Sequence, residues 1–163
     1  MLQSTLNKRN QREKKDQEPL YLAKKKFENI INNFPDSDYA MDSSYKLDLI
    51  IDQLAKKEMF IGRYYMKIEK WIAAINRFKK LIKEYDTTVY VEEALFRLVE
   101  IYYRIGLLEE AKKTAILLGY NYQSGEWYEK SYEIFEKSYT KKIKSEKQKK
   151  DSFIRRKLKE LFQ

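Results

Sequence analysis

Between Glu58 and Thr88 the chain reads EMFIGRYYMKIEKWIAAINRFKKLIKEYDTT, and the order of small and bulky residues there limits the fold more than any other feature. Gly62 is followed three positions later by Tyr65. After a short polar break come Trp71, Ala74 and, four positions on, Phe78; Asp86 then marks a turn. Two antiparallel helices approach closely only where one presents Gly or Ala and the other fills the gap with a ring. The spacing therefore predicts a helical hairpin in which Gly62 faces Ala74, flanked by buried Tyr65, Trp71 and Phe78.

The pattern recurs. Ala23 and Phe27 precede Pro35 with the spacing of a second hairpin helix, and Ala111, Ala115 and Leu118 repeat it downstream. Ala74 and Ala111 lie 37 positions apart, near the roughly 34 residues of a tetratricopeptide motif. Ala23 and Ala74 lie 51 apart, an excess that one lengthened helix explains. That helix is expected from about Tyr39 to Lys67, with Tyr45, Leu47, Ile50, Ile51, Leu54, Ile61, Tyr65 and Ile68 as its apolar band. The reading is all-α: a tetratricopeptide-like right-handed helical-hairpin solenoid of about three repeats, with one extra-long helix and a C-terminal capping helix.

Punctuation sets the expected boundaries. Pro19 suits a first helical turn. Pro35-Asp36-Ser37-Asp38 breaks the chain and offers a cap. Thr87 and Thr88 offer a hydroxyl cap to a helix whose stripe is Leu95, Leu98, Ile101, Tyr102 and Ile105. Gly106 is the turn, and Gly119 reads as the residue that ends the following helix. A last helix then carries Trp127, Tyr128, Tyr132, Phe135 and Tyr139. Three divisions result: a basic flexible arm over 1–17, a partial repeat domain over 18–139, and a basic mobile tail over 140–163. Within that tail Ile154, Leu158 and Leu161 could share one side of a short helix, which alone is marginal in water.

The formal charge of +9 is concentrated at the ends, in KRNQREKK (8–15) and KKIKSEKQKK (141–150). Such runs admit acidic proteins, lipid head groups or nucleic acid as partners, or simply stay solvated. No aromatic RNA-binding motif, KH loop or zinc module accompanies them, so no specific nucleic acid is expected. The sequence has no Cys and no His, which removes disulfides, thiol nucleophiles and the usual general base. No phosphate loop, nucleophile elbow or metal-spaced cluster is present. The acidic pairs Glu92/Glu93 and Glu109/Glu110 stand at helix starts, where they complement the dipole. The expectation is a non-enzyme without catalytic, cofactor or metal sites. No apolar run approaches the roughly 20 residues of a membrane span, and MLQSTLNKRN lacks the apolar core of a secretory signal.

Arg63 and Arg77, with Asn76, are the candidate partner-binding residues. Arg77 sits between Asn76 and Phe78 on a helix whose apolar stripe is already filled, so it is expected to point outward. It is either a solvated charge or a partner contact, Arg being enriched at binding hot spots. The expected repeat core is Gly62, Tyr65, Trp71, Ala74, Phe78, Tyr102 and Ala111.

The run GRYYMKIEKWIAAINRFKKLIKEYDTT, with upstream FENIINNFPDSDYAMDSSYKL and downstream AKKTAILLGYNYQSGEWY, resembles the C-terminal half of the BamD family over roughly residues 15–139. That family comprises lipoproteins of the outer membrane β-barrel assembly machinery. The resemblance implies a periplasmic repeat scaffold held at the outer membrane by a lipidated Cys. It would dock on the periplasmic domains of the barrel insertase and assist insertion of outer membrane proteins. Implied partners are the insertase, other assembly lipoproteins and unfolded outer membrane clients. By motif match Arg77 takes the place of the arginine on the family's partner-facing helix. This chain shows no signal peptide and no lipidation Cys, and it reads as an N-terminally truncated product, a fragment or a misplaced start. Two further readings stay open: a generic helical-repeat adaptor outside the envelope, and a nucleic-acid-binding protein that uses its basic ends.

Overall fold

The computed structural model describes residues 2–122 and 125–136, with side chains described from Gln17 onward. Expectations for Tyr139 and the tail over 140–163 lie outside the described residues. Secondary structure among the described residues is entirely helical: α1 (Leu2–Asn33), α2 (Asp38–Lys67), α3 (Trp71–Glu84), α4 (Tyr90–Arg104), α5 (Leu108–Asn121) and α6 (126–136). None of these helices is long and apolar enough to cross a membrane. The chain divides into two compact units, residues 1–94 and 95–163, with the division inside α4.

In the first unit α2 packs against both α1 and α3. Its start is fixed by Ser37, whose hydroxyl accepts from the Ala40 N–H at 3.2 Å, satisfying one of the donors a helix leaves open. Its 30 residues span roughly 45 Å at 1.5 Å per residue, the lengthened helix that the repeat arithmetic calls for. The α2–α3 turn closes through Lys70 N–H to the Tyr65 carbonyl at 2.9 Å. It places Glu69 in the left-handed region at φ 57°, a conformation usually left to Gly.

The hairpin seam follows from size. Gly62 is buried, and a Cβ built there would meet the Phe78 ring at 2.5–2.9 Å. Phe78, Ala74 and Leu81 are fully enclosed, and Tyr65 is buried beside them. Gly62 thus faces the Phe78 ring and not Ala74, the partner that the spacing predicts: the missing side chain is the space the ring occupies.

Four boundary or packing expectations need correction. Helix α1 begins at Leu2, so residues 2–17, read as a loose arm, carry helical backbone, and Pro19 lies inside the helix rather than in its first turn. One missing backbone donor is a local loss in a 32-residue helix. Trp71 opens α3 and is half-buried rather than part of the fully enclosed core. Tyr45 and Ile68, assigned to the apolar band of α2, are 68% and 42% exposed. Tyr45 falls about 140° round the helix from Ile50, off the buried arc.

In the second unit Gly106, at φ +84°, makes the turn from α4 to α5, and Tyr102, Ala111 and Leu118 are buried. Gly119 does not end α5, which runs on to Asn121. A Cβ at Gly119 would meet the Tyr128 ring of α6 at 2.7 Å, so this glycine serves close approach rather than termination. Trp127 of α6 packs on Phe96 of α4 with ring centroids 5.2 Å apart, and Phe135 meets Tyr103 edge-on at 5.7 Å. Helix α6 therefore covers α4 and α5 with rings, as a capping helix does.

Candidate partner-binding surface

Helix α3 has a sharply divided circumference. Ala74, Ile75, Phe78 and Leu81 are buried, while Ile72, Asn76, Lys79 and Lys83 are exposed. The exposed four follow i, i+4, i+7 and i+11, a single line along the helix. Ile72 is 69% exposed, so the line offers one apolar residue, one amide and two cations to solvent.

Arg77 and Lys80 lie at the edge of that face, one turn apart, and both reach back to α2. Glu58 is fully buried, and its carboxylate accepts from Lys80 Nζ at 2.6 Å and from Arg77 Nη1 at 3.2 Å. Lys80 also donates to the Tyr21 hydroxyl of α1 at 3.2 Å, and that hydroxyl hydrogen-bonds the Tyr85 hydroxyl at 3.2 Å. One polar chain thus ties α1, α2, α3 and the residue after α3. A buried carboxylate is tolerated only when its oxygens are paired, and here two cations from the neighbouring helix do this.

The proton affinities reflect this chain. Burial alone would lower the Lys80 ammonium, but the hydrogen bond and charge of Glu58, with the Tyr21 hydroxyl, outweigh it and leave the group above its ordinary value. Burial pushes the Tyr85 hydroxyl well up, helped by the Tyr21 hydrogen bond and the nearby charges of Glu84 and Glu58.

Arg63 makes a second, separate pair. Its Nε donates to Glu93 Oε1 at 2.9 Å and its Nη2 to Glu93 Oε2, the forked geometry characteristic of Arg with a carboxylate. Arg63 remains half exposed, while Glu93, in the first turn of α4, is buried.

The three residues singled out from the sequence therefore stand in different situations. Asn76 is exposed on the outer line of α3. Arg77 is not free and outward-pointing: it is three-quarters enclosed and held by Glu58. Arg63 is engaged by Glu93 yet keeps half its surface in water. Sequence reasoning missed Ile72, Lys79 and Lys83, as well as Glu58. The signal for Glu58 was present, since it falls four residues after Leu54 and four before Gly62, on the apolar stripe of α2.

A family model described as YfiO, outer membrane lipoprotein, matches residues 1–117. The chain is 50% identical over 119 residues to the outer membrane protein assembly factor BamD of Rickettsia prowazekii, covering 73% of this chain and 47% of that protein. It is 44% identical over 120 residues to BamD of Caulobacter vibrioides, covering 74% and 39% respectively. It is also 37% identical over 122 residues to BamD of Neisseria meningitidis serogroup A, covering 74% and 46%. The chain spans less than half the length of these relatives. The family match contains Glu58, Arg63, Arg77 and the whole of α3, and stops before α6.

Proposed function

The chain belongs to the YfiO outer membrane lipoprotein family, and from that premise we propose that it is a protein-docking scaffold of outer membrane protein assembly. Its partner in this reading is the periplasmic part of the barrel insertase, and its place is the periplasmic face of the outer membrane. The role is one of binding, not catalysis. It rests on surfaces that hold another protein in register.

The observation that carries the reading is the division of α3. Its inner face is fixed in the hairpin by Phe78 against Gly62, and its edge is fixed by the Glu58 clamp on Arg77 and Lys80. A rigid helix that presents Ile72, Asn76, Lys79 and Lys83 to solvent suits a partner with carboxylates around an apolar contact. Pre-ordering of this kind lowers the entropic cost of association. Arg77, a quarter exposed at the edge of the line, can contribute to a partner contact without leaving Glu58.

Recovery of purified insertase periplasmic domains on immobilised full chain tests this. The charge reversal Lys79→Glu/Lys83→Glu, with Ile72→Ser as a second variant, alters exposed side chains only. Each should reduce recovery at least about tenfold, consistent with loss of a central contact or steering charges. Equal recovery by wild type and both variants would remove α3 as the docking helix.

A further inference from the structure

Helix α2 carries a row of large apolar residues on the side turned away from its packed face. Met41, Tyr45 and Leu49 follow i, i+4 and i+8 and are 63%, 68% and 64% exposed. They fall within an arc of about 80° on the helix, opposite the buried Ile50, Leu54, Ile61 and Tyr65. Phe60, 71% exposed, continues the line three turns on. Single exposed apolar residues are ordinary, but three in a row expose on the order of 400 Å², the size at which a patch marks a contact surface.

The charge around this row has a definite sign. Residues 38–52 hold Asp38, Asp42, Asp48 and Asp52 against the single cation Lys46, in a chain whose overall charge is +9. Lys46 is tied to Asp42 at 2.5 Å, and all four aspartates are exposed. Acidic flanks repel an anionic lipid surface. They also disfavour a second copy of this chain across a two-fold axis, which would set carboxylates against carboxylates.

We propose that the Met41–Tyr45–Leu49 face of α2 is a docking site, separate from the α3 face, for a Lys/Arg-rich amphipathic helix of a partner protein. Apolar residues of that helix sit between Met41, Tyr45 and Leu49, as ridges pack into grooves. Its cations lie along Asp48 and Asp52 on one side of the row and Asp42 on the other, with Asp38 at the N-terminal end. Beyond Asp52 the face turns basic at Lys56, which bounds the site at one end.

The test is titration of the full chain into a fluorescein-labelled 15-residue helical peptide with Leu at i, i+4, i+7 and i+11 and Lys or Arg elsewhere. Tyr45→Ser/Leu49→Ser should weaken Kd at least tenfold. Asp48→Asn/Asp52→Asn should weaken it severalfold at low salt, with the difference shrinking at high salt as screening predicts. All four positions are exposed, so far-UV circular dichroism should match wild type, and Ile116→Ser on α5, also exposed, should leave Kd unchanged. Unchanged binding in both paired variants overturns the proposal, as does equal binding of the same peptide with Glu in place of its cations. It is likewise overturned if Tyr45→Ser/Leu49→Ser abolishes self-association of the chain in sedimentation velocity while peptide binding stays intact, because the face then belongs to a second copy.

Discussion

Substituting Gly62 by Ala isolates the contact on which the first unit is closed. In an ordinary helix interior this change gains about 1 kcal/mol, since Ala loses less backbone freedom than Gly. Here the added methyl arrives 2.5 Å from Phe78 Cε1, 2.7 Å from Cζ and 2.9 Å from Cδ1, where carbon atoms rest at about 3.5–4.0 Å. Phe78 is fully enclosed, so the ring cannot swing aside, and α2 and α3 must separate by about 1 Å. Overpacking of this kind costs about 1–3 kcal/mol or more. A 2.5 Å approach to an enclosed ring puts the cost at the upper end, about 2–3 kcal/mol. Against the propensity gain, the net expectation is a loss of about 1–2 kcal/mol, a fall of roughly 2–8 °C in Tm for a chain of this size. Urea denaturation followed by circular dichroism measures it directly. The companion variant Phe78→Leu makes room for the methyl, so the double variant should be about 1–2 kcal/mol more stable than the sum of the single effects. A Gly62→Ala protein as stable as wild type, or strict additivity in the cycle, would refute the close approach.

Two further outcomes follow from the same unit. Lys80 and Tyr85 both hold their protons more tightly in the folded chain than their ordinary values of 10.5 and 10.0. Their contribution is therefore complete below about pH 10 and is lost as pH rises, by up to ~1.4 kcal/mol per unit for each group. Thermal midpoints should stay level from pH 7 to 9 and fall above 10, less steeply in Tyr85→Phe; an identical fall in both proteins would rule out Tyr85. Glu69 occupies φ 57°, a region that costs a residue with a Cβ roughly 1–2 kcal/mol, so Glu69→Gly should raise the urea midpoint by the equivalent of about 1 kcal/mol. A lowered midpoint would mean that the Glu69 side chain stabilises the turn more than its backbone strains it.

How much of this was legible in the sequence depends on what each residue answers to. Small and bulky residues at hairpin spacing answer to one neighbouring helix, so the presence of Gly62, Ala74 and Phe78 in one seam could be read from spacing. The choice of the Phe78 ring rather than Ala74 as the group against Gly62 depends on how the two helices are rotated. Helix α2 was legible to within a residue at its start because Pro35 follows the end of one helix and Ser37 caps the next. Gly119 was misread because a glycine near a helix end has two uses, and only the position of Tyr128 decides between them. Tyr45 was misread because a large ring counts as apolar in a periodicity, although its angle about the helix puts it opposite the core. The outer line of α3 was overlooked for a related reason. Lys79 and Lys83 look like any solvated cations until the buried set fixes which way the helix faces.

Arg77 shows where a motif match and a geometry pull apart. The sequence resemblance implies that it faces a partner, while its guanidinium rests on a carboxylate with no water contact of its own. Replacing it by Glu would set two carboxylates together in the hairpin, and removing one member of a buried charge pair is strongly destabilising. Lost binding in such a variant would then report a damaged fold as readily as a damaged interface. Lys79 and Lys83 carry the same sign of charge on the same helix and lie on its exposed face. A partner that reads charge along α3 must respond to their reversal, whereas a response to Arg77 alone is also what loosening the hairpin that Glu58 holds in place would give.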